Sequence, residues 1–186
     1  MRNKELFRGR RKAGRLVGFV LTLALAVSLL SGCGQSKERL TFGTGGTAGT
    51  YYSYGGVLAQ YITNNTNVKV TAVSTGGSKA NLQSVQDGDF QLGFVQSDVM
   101  AYAWDGVRAF EQDGATHDFR TLGGLYAETV QLFTMDPDIK TVEDLKGKSV
   151  SIGAANSGVY FNALDVLNAG GITLDDIHPQ YLSFED

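Results

Sequence analysis

A loop of very small residues between a strand and a helix is the strongest constraint in this sequence. Leu40–Phe42 is typical of the end of a short buried strand, and a run of Gly and Thr follows it. From Thr50 onward, apolar residues recur at the spacing of one helix face; they are Tyr54, Val57, Leu58, Tyr61 and Ile62. Such a loop leaves backbone N–H groups unpaired at the helix start, where the helix dipole adds partial positive charge. The sequence therefore predicts an anion-binding loop, with a tight turn that binds no ligand as the alternative.

The same loop has to be weighed against a dinucleotide-binding motif. Residues 43–48 match Gly-x-Gly-x-x-Ala, the first part of the Rossmann fingerprint, in which an acidic residue follows about 20 residues later. Residues 74–77, at that place, are Ser-Thr-Gly-Gly and include no acid. We therefore expect no dinucleotide and no other cofactor.

Residues 1–32 have the pattern of a secretory signal peptide. Seven basic residues precede or border the uncharged apolar run Leu16–Leu30, which is shorter than a membrane-spanning helix needs. The run ends in Leu-Ser-Gly-Cys, and Cys33 is the only cysteine, so no intramolecular disulfide can form. These four residues resemble a bacterial lipobox, which implies that Cys33 is diacylated and becomes the mature N-terminus. An ordinary signal residue at this position is the alternative.

The charge of the mature chain argues against a polyanionic partner. The whole chain has 16 Lys and Arg residues and 19 Asp and Glu residues. Seven of the basic residues and one acid precede residue 33, so the mature part carries a formal net charge of −9. Such a chain repels nucleic acid and anionic lipid. We expect no nucleic-acid partner, a membrane link through lipid alone, and a short tether at residues 33–39.

Strand-like and helix-like segments alternate along the mature chain, which is the pattern of an α/β fold. The predicted strands are Leu40–Phe42, Val68–Val73, Phe90–Val95, Leu122–Tyr126, Val130–Met135, Ser149–Ile152 and Gln180–Phe184. Predicted helices run from about Thr50 to Thr63, between Ser78 and Asp87, over Val99–Trp104 and over Val159–Asn168, with a short helical turn after Thr141 capped through Asp144. Residues 106–120 are predicted to be an irregular, acidic surface segment.

Three of these strands run through a loop of Gly, Ser, Thr and Asn into a helix. We define loop one as residues 43–49, loop two as 74–78 and loop three as 153–158. In open α/β sheets ligands bind outside the carboxyl ends of the strands. Loops one and two should therefore lie side by side on one sheet, whereas loop three belongs to a second body. A cleft lined from two bodies is typical of a binding protein that closes about a hinge.

Several short motifs occur in order along the mature chain. They are Thr44-Gly45-Gly46-Thr47-x-Gly49-x-Tyr51-Tyr52, Ser74-x-Gly76-Gly77-Ser78-x-x-Asn81-Leu82, Gln96-Ser97-Asp98, and Asp144-Leu145-Lys146-Gly147-Lys148 with Ser157-Gly158. Together they resemble the TAXI family, the extracytoplasmic solute receptors of tripartite ATP-independent periplasmic (TRAP) transporters. The resemblance runs from about Leu40 to the last residue. It implies a type II periplasmic-binding-protein fold, in which two α/β lobes hold a small anionic solute such as glutamate, glutamine or a related carboxylate.

The resemblance also assigns solute contacts by position. Loop one and the helix start after it would supply Thr44, Gly46, Thr47 and Tyr51, and loop two and its helix would supply Ser74, Ser78 and Asn81. Gln96 and Ser97 would lie at the cleft floor. The second lobe would supply Asn156, Ser157 and Gly158. The implied function is capture of the solute outside the cytoplasm and delivery to a TRAP membrane permease. Residues 40–135 would form a complete first lobe with the start of the hinge, and 136–186 an incomplete second lobe. The alternatives are a ligand-sensing surface lipoprotein that acts with a membrane sensor, and a truncated fragment without function.

Other side chains near the loops have two interpretations each. Tyr51 and Tyr52 either stack on a ligand or pack at the helix start. Lys79 could pair with a carboxylate, but a solvated lysine is the favoured interpretation. Asp98 is interpreted as the cap of the helix that follows it, with a ligand-contacting group as the alternative. Trp104 is interpreted as a core or interface residue, with no part in a site.

The sequence offers no arrangement of side chains that catalysis would use. It has no G-x-S-x-G segment, and acylation would leave no free thiol. His117 and His178 have no Cys, His or carboxylate partner at the spacing of a metal site. We therefore predict that the protein is not an enzyme and binds no metal.

Overall fold

The computed structural model describes residues 37–186 of the chain. The predicted signal peptide, the lipidation site Cys33 and most of the tether lie outside the described residues. Within the described part, no helix combines the length and the apolar character needed to cross a membrane.

The first sheet is built from three parallel strands with the first strand in the centre. Strand β1 (Glu38–Gly43) pairs on one side with β2 (Val68–Val73) and on the other with β3 (Leu92–Gly93). The predictions for the first two strands are confirmed, whereas β3 is shorter than the predicted Phe90–Val95. Because all three strands are parallel, their carboxyl ends meet at one edge of the sheet, as predicted.

Three helices follow these strands. Helix α1 spans Thr50–Asn65, α2 spans Ser78–Gln86 and α3 spans Ser97–Asp105. Helix α3 ends at Gly106, whose φ of 66° is left-handed, and a Cβ there would lie 2.5 Å from the Ala115 backbone nitrogen. Only glycine meets both demands, since it tolerates positive φ and has no side chain to collide.

Residues 121–135 do not form the two predicted strands. No strand or helix occurs between them, and every residue in this range is exposed. Alternating apolar residues stabilise a strand only when a neighbouring strand pairs with its backbone and another layer covers its apolar face. Among residues 37–186 no strand pairs with this segment, so the strand predictions for Leu122–Tyr126 and Val130–Met135 are wrong in this structure.

The second sheet is a parallel pair of short strands. Strand β4 (Ser149–Ser151) pairs with β5 (His178–Gln180), and helix α4 (Gly158–Ala169) connects them. The prediction for β4 is confirmed, but β5 lies mostly before the predicted Gln180–Phe184. One-turn 3-10 helices occur at Arg108–Phe110, Glu143–Leu145 and Leu174–Asp176.

The turn before β4 is held by one carboxylate, as the Thr141-x-x-Asp144 pattern predicts. The Asp144 carboxylate accepts hydrogen bonds from the Lys140 N–H at 2.9 Å and from the Thr141 N–H at 2.8 Å. The Thr141 hydroxyl donates to the same oxygen at 2.9 Å. These bonds, the Lys140 N–H first, hold the pKa of Asp144 below its usual value.

Three hydrophobic clusters hold the described residues together. One lies at the first sheet and contains Phe42, Ala59, Val70 and Phe94; a second lies at the second sheet and contains Leu145, Ile152, Leu167, Ile172 and Ile177. The third contains Leu82, Val99, Ala103, Phe110 and Phe161, and therefore joins α2 and α3 to α4. This third cluster places loop three close to the edge of the first sheet.

One buried amide ties together the carboxyl ends of all three strands of the first sheet. Asn81 is fully buried, and its Nδ2 donates to the Thr44 carbonyl at 2.7 Å and to the Phe94 carbonyl at 2.8 Å. Its Oδ1 accepts from the Thr75 hydroxyl at 2.7 Å. Thr44 follows β1, Thr75 follows β2 and Phe94 follows β3, so Asn81 fixes the three loop starts relative to each other.

We predict that Asn81→Ala lowers the free energy of unfolding by about 3 kcal/mol, because it leaves buried carbonyl and hydroxyl groups without their partner. The measurement is urea unfolding followed by circular dichroism. Gln86→Ala, at the exposed end of the same helix, is the control and should change stability by less than about 0.5 kcal/mol. Equal stability of the two variants would contradict this role of Asn81.

Candidate functional site

Three of the predicted contact residues are buried supports of the loops. The side chains of Thr44, Ser78 and Asn81 are at most 1% exposed. The Thr44 hydroxyl donates to the Val73 carbonyl at 2.6 Å, and the Ser78 hydroxyl accepts from the Gln96 N–H at 3.1 Å. In this conformation these side chains have internal partners and face no solvent, so they position the loops instead of lining a surface.

Loop one binds a carboxylate that belongs to the chain itself. The Thr47 hydroxyl donates to Glu185 Oε1 at 2.7 Å, and the Thr47 N–H donates to the same oxygen. Hydrogen bonds from the Ser183 hydroxyl, then from Thr47 and the Ala48 N–H, lower the pKa of Glu185 to about 2. Gly46 has the bare backbone this requires, because a Cβ there would lie 2.9 Å from Glu185 Oε2. Loop one therefore binds a carboxylate of the same chain, and its binding of an external anion stays a prediction.

The helix that follows loop one begins without a side-chain cap. Its N-cap residue is Gly49, which has no side chain that could accept a hydrogen bond from the first turn. An open depression of about 380 Å³ lies beside this helix start. Its lining residues are Ala48, Gly49, Thr50, Ser53, Tyr54 and Val57. The depression adjoins the loop that holds the carboxylate, so the first turn of α1 has space next to it.

Tyr51 packs inside the protein. Its ring centroid lies 5.1 Å from that of Phe94. Burial, followed by a hydrogen bond to Glu128, raises the pKa of its hydroxyl. The packing interpretation of Tyr51 therefore describes its position in this structure.

Loop two and loop three are in direct contact. The Lys79 N–H donates to the Asn156 carbonyl at 3.3 Å. A Cβ on Gly77, whose φ is 102°, would lie 3.4 Å from the Ser157 Cα. The Ser157 hydroxyl accepts from the Tyr160 N–H at 3.1 Å and caps α4. Two of the predicted lobe-two contacts, Asn156 and Ser157, therefore lie beside loop two, and one N–H at the start of α2 is already occupied.

Gln96, predicted to lie at the cleft floor, connects the start of α3 to α4. Its Nε2 donates to Asn162 Oδ1 at 3.1 Å, and its side chain lies against the backbone of Gly158. Its Oε1 is buried and has no hydrogen-bond partner among the described residues. An unpaired buried acceptor costs free energy, so this amide oxygen is available to a donor. Ser97 is exposed at the start of α3.

Asp98 is not the cap of α3, contrary to the prediction. The N-cap residue is Gln96, and Asp98 lies in the first turn of the helix. One carboxylate oxygen accepts from the Val99 N–H at 2.9 Å, and the other accepts from Asn162 Nδ2 at 2.7 Å. The carboxylate therefore connects α3 to α4, and its negative charge disfavours an anion at the start of α3.

Further polar contacts strengthen the junction of α3 with α4. The Tyr102 hydroxyl donates to Asp165 Oδ2 at 2.9 Å, and Arg108 pairs with Asp165 Oδ1 at 3.1 Å. These groups are partly exposed, so each contributes modestly. Together with the third hydrophobic cluster they hold loop three against loop two.

Lys79 is not the solvated lysine that the sequence favours. Its ammonium donates to the Ala109 carbonyl at 2.6 Å and pairs with Asp113 at 2.8 Å, and it lies 5.2 Å from the ring centroid of Phe110. Its side chain is only 16% exposed. The charge of Lys79 is therefore satisfied within the protein and does not serve loop two.

Trp104 lies in an aromatic cluster at the surface. Trp104 is about half exposed, and its ring packs against His117 and Phe119 with centroid distances of 4.2 and 5.9 Å. Within residues 37–186 no three His, Cys, Asp or Glu side chains come together in a group that could hold a metal ion.

Some residues of this site were not singled out from the sequence. Thr75 and Asn162 each have one signal in the sequence. Thr75 lies within the second small-residue loop, and Asn162 lies one helical turn after Gly158, on the same face of α4. Glu185 had no local signal, because only the chain path brings it to loop one.

Residues 42–186 match the NMT1-like family. The chain belongs to this family. Among solved structures, it is similar to the alkanesulfonate-binding protein SsuA from Xanthomonas axonopodis pv. citri bound to MOPS, at 18% identity and a TM-score of 0.43 over 78% of this chain and 47% of that one. It is also similar to the periplasmic aliphatic sulphonate binding protein SsuA from Escherichia coli, at 19% identity and a TM-score of 0.44 over 78% and 45%. The NMT1-like chain therefore spans slightly under half the length of both.

The predicted α/β class is confirmed, and the chain is assigned to the NMT1-like family. The TAXI assignment and the TRAP partner stay predictions.

We predict that Gly158→Ala destabilises the protein by about 1 kcal/mol, because the new methyl group displaces the Gln96 side chain from Asn162. The same substitution in a Gln96→Ala background should cost much less, since the obstructing side chain is gone. Thermal unfolding of the four members of this double-mutant cycle measures the coupling. Additive effects would show that Gln96 and Gly158 are not in contact.

Proposed function

We propose that this NMT1-like protein is an extracytoplasmic receptor that binds a small carboxylate-bearing solute. The observation that carries the proposal is the Glu185 carboxylate on loop one, held by the hydroxyl and N–H of Thr47. A loop that binds one carboxylate through backbone and hydroxyl donors has the chemistry to bind another.

The start of α1 is the favoured position for the negative group of the solute. Neither Gly49 nor Gly77, the N-cap residues of α1 and α2, has a side-chain cap within the described residues. The first turn of α3 holds Asp98, which repels an anion. The N–H groups at the start of α1 have no competing cap and lie next to the depression. These two features favour loop one over the other helix starts as the site of the negative group.

The predicted contact residues divide into supports and donors in this proposal. Thr44, Ser78 and Asn81 hold the loops, because they are buried and internally paired. Gly46, Thr47 and Ser74 lie on the loop surfaces, with the Ser74 hydroxyl bonded to the Gly45 carbonyl at 2.9 Å in this conformation.

Gln96 and the second body would supply groups that complete the site. Gln96 Oε1 is a buried acceptor without a partner in the described part of the chain, and an amino group of a solute would satisfy it. Asn156, Ser157 and Gly158 approach from loop three. Opening of loop three away from loop two would admit the solute, and closure would exclude water and strengthen each hydrogen bond.

The finer proposal is a TAXI-type receptor that delivers its solute to a TRAP membrane permease. It rests on the ordered motifs around loops one and two and on the membership of the NMT1-like family. Glutamate, glutamine and 2-oxoglutarate represent the solute class that the resemblance implies. A lipid on Cys33 would hold the receptor at the outer face of the membrane.

Isothermal titration of the full chain in detergent against glutamate, glutamine and 2-oxoglutarate tests the proposal, with an alkanesulfonate as the comparison anion. We expect saturable heat with at least one carboxylate. In the Glu185→Gln background, where the internal carboxylate no longer uses the Thr47 hydroxyl, Thr47→Val should weaken that binding roughly tenfold, because it removes one hydrogen bond to a charged group. Thr71→Val, at an exposed position of β2, is the matched control. No heat with any carboxylate, or tight binding of the sulfonate alone, would contradict the proposed solute class.

We also predict that the chain incorporates labelled palmitate in bacterial cells and fractionates with membranes. Cys33→Ser should lose the label, because the thiol is the atom that is acylated, whereas Ser36→Ala in the tether should retain it. Label in the Cys33→Ser variant, or none in the parent chain, would rule out the lipobox.

A further inference from the structure

The segment Tyr181–Asp186 folds back over loop one. The Phe184 ring lies against Gly49, where a Cβ would be 3.0 Å from Phe184 Cδ2. Next to it, the Glu185 carboxylate accepts from the Thr47 N–H and hydroxyl. An aromatic ring and a carboxylate from one segment therefore cover the same stretch of backbone, immediately before α1.

The segment is shaped so that the carboxylate points at the loop. The Ser183 N–H donates to Asp186 Oδ2 at 2.7 Å, and the Glu185 N–H donates to the Ser183 hydroxyl at 3.2 Å. The Ser183 hydroxyl in turn donates to Glu185 Oε2 at 2.5 Å. One oxygen of Glu185 is thus held within its own turn while the other bonds to Thr47, so little further ordering is needed for the contact.

The donors used by Glu185 are the ones that the proposed solute would use. Thr47 donates both its N–H and its hydroxyl to one oxygen, and Gly46 leaves room for the second. Two carboxylates cannot share these donors, because they would occupy the same space and repel each other. A group tethered in the same chain has an effective concentration in the millimolar range.

We propose that Glu185 is a tethered competitor that occupies loop one and must leave before an external carboxylate binds there. The proposal rests on the carboxylate-binding function of loop one proposed above. The intramolecular carboxylate reduces the fraction of molecules that are competent to bind, and the apparent dissociation constant rises by the inverse of that fraction. A solute with more contacts than one carboxylate, such as one that also engages Gln96, displaces it.

Acetate is the probe that tests the competition without knowledge of the natural solute. The amide signals of Thr47 and Ala48 are followed by NMR as acetate is added to the full chain in detergent micelles. Glu185→Gln should shift the midpoint to a concentration two- to tenfold lower than in the parent chain. Asp175→Asn, which makes the same charge change outside the segment, should leave the midpoint unchanged. Equal midpoints for the parent chain and Glu185→Gln would overturn the proposal.

A carboxyl titration separates this proposal from the receptor function. The ¹³C carboxyl signal of Glu185 should titrate near pH 2 in the parent chain. Because the folded-state pKa is depressed, the contact persists above the usual value of 4.5 and is lost as the pH falls through about 2. Thr47→Val should move the midpoint toward 4.5. Titration at the ordinary value in the parent chain overturns the proposal, whereas a low value with no heat from any solute supports the contact and contradicts the receptor function.

Discussion

The side-chain amide of Asn81 is the interaction on which the geometry of this protein depends. It bonds to groups that follow all three strands of the first sheet, at distances of 2.7 to 2.8 Å. The neighbouring strands make room for it with Gly43 and Gly93, where a Cβ would collide with the Asn81 side chain or lie 3.1 Å from its Cβ. Each loop thus leaves the sheet from a fixed point, and the donors of loop one are preorganised before any ligand arrives.

The regular part of the fold can be predicted from the sequence because its signals are local. β2 follows from alternating β-branched residues, and α1 and α4 from apolar residues at helical spacing. The segment Leu122–Met135 contains short apolar stretches and yet forms no strand, because strand formation depends on a partner that the sequence pattern does not specify. The predicted length of β3 is wrong for a related reason, since its pairing with β1 covers only two residues.

The site could be predicted only in part, and the failures involve contacts between distant residues. The glycine and threonine content of loop one predicts an anion site, and a carboxylate does lie there. The expectation of bare amides fails at the start of α2, where the Asn156 carbonyl takes the Lys79 N–H, and Glu185 occupies the Thr47 N–H in loop one. The start of α1 itself has no side-chain cap. Lys79 was expected in solvent but is paired with Asp113. Separations of more than 30 residues leave no local trace, so the internal partners could not be foreseen.

These contacts give the proposed receptor a consistent energetic description. The protein uses its own oxygen atoms to satisfy donors that a solute would otherwise satisfy, which avoids the cost of leaving them unpaired. Binding then becomes an exchange of one acceptor for another. The net gain is smaller than a count of hydrogen bonds suggests and depends on the additional groups that the solute engages near Gln96.

A crystal structure of the Glu185→Gln variant with a saturating carboxylate solute tests this account most directly. The account predicts that the negative group of the solute lies within hydrogen-bond distance of the Thr47 and Ala48 nitrogens, with Asn81 still bound to Thr44 and Phe94. A carboxylate bound elsewhere, with loop one unoccupied by it, would contradict the account.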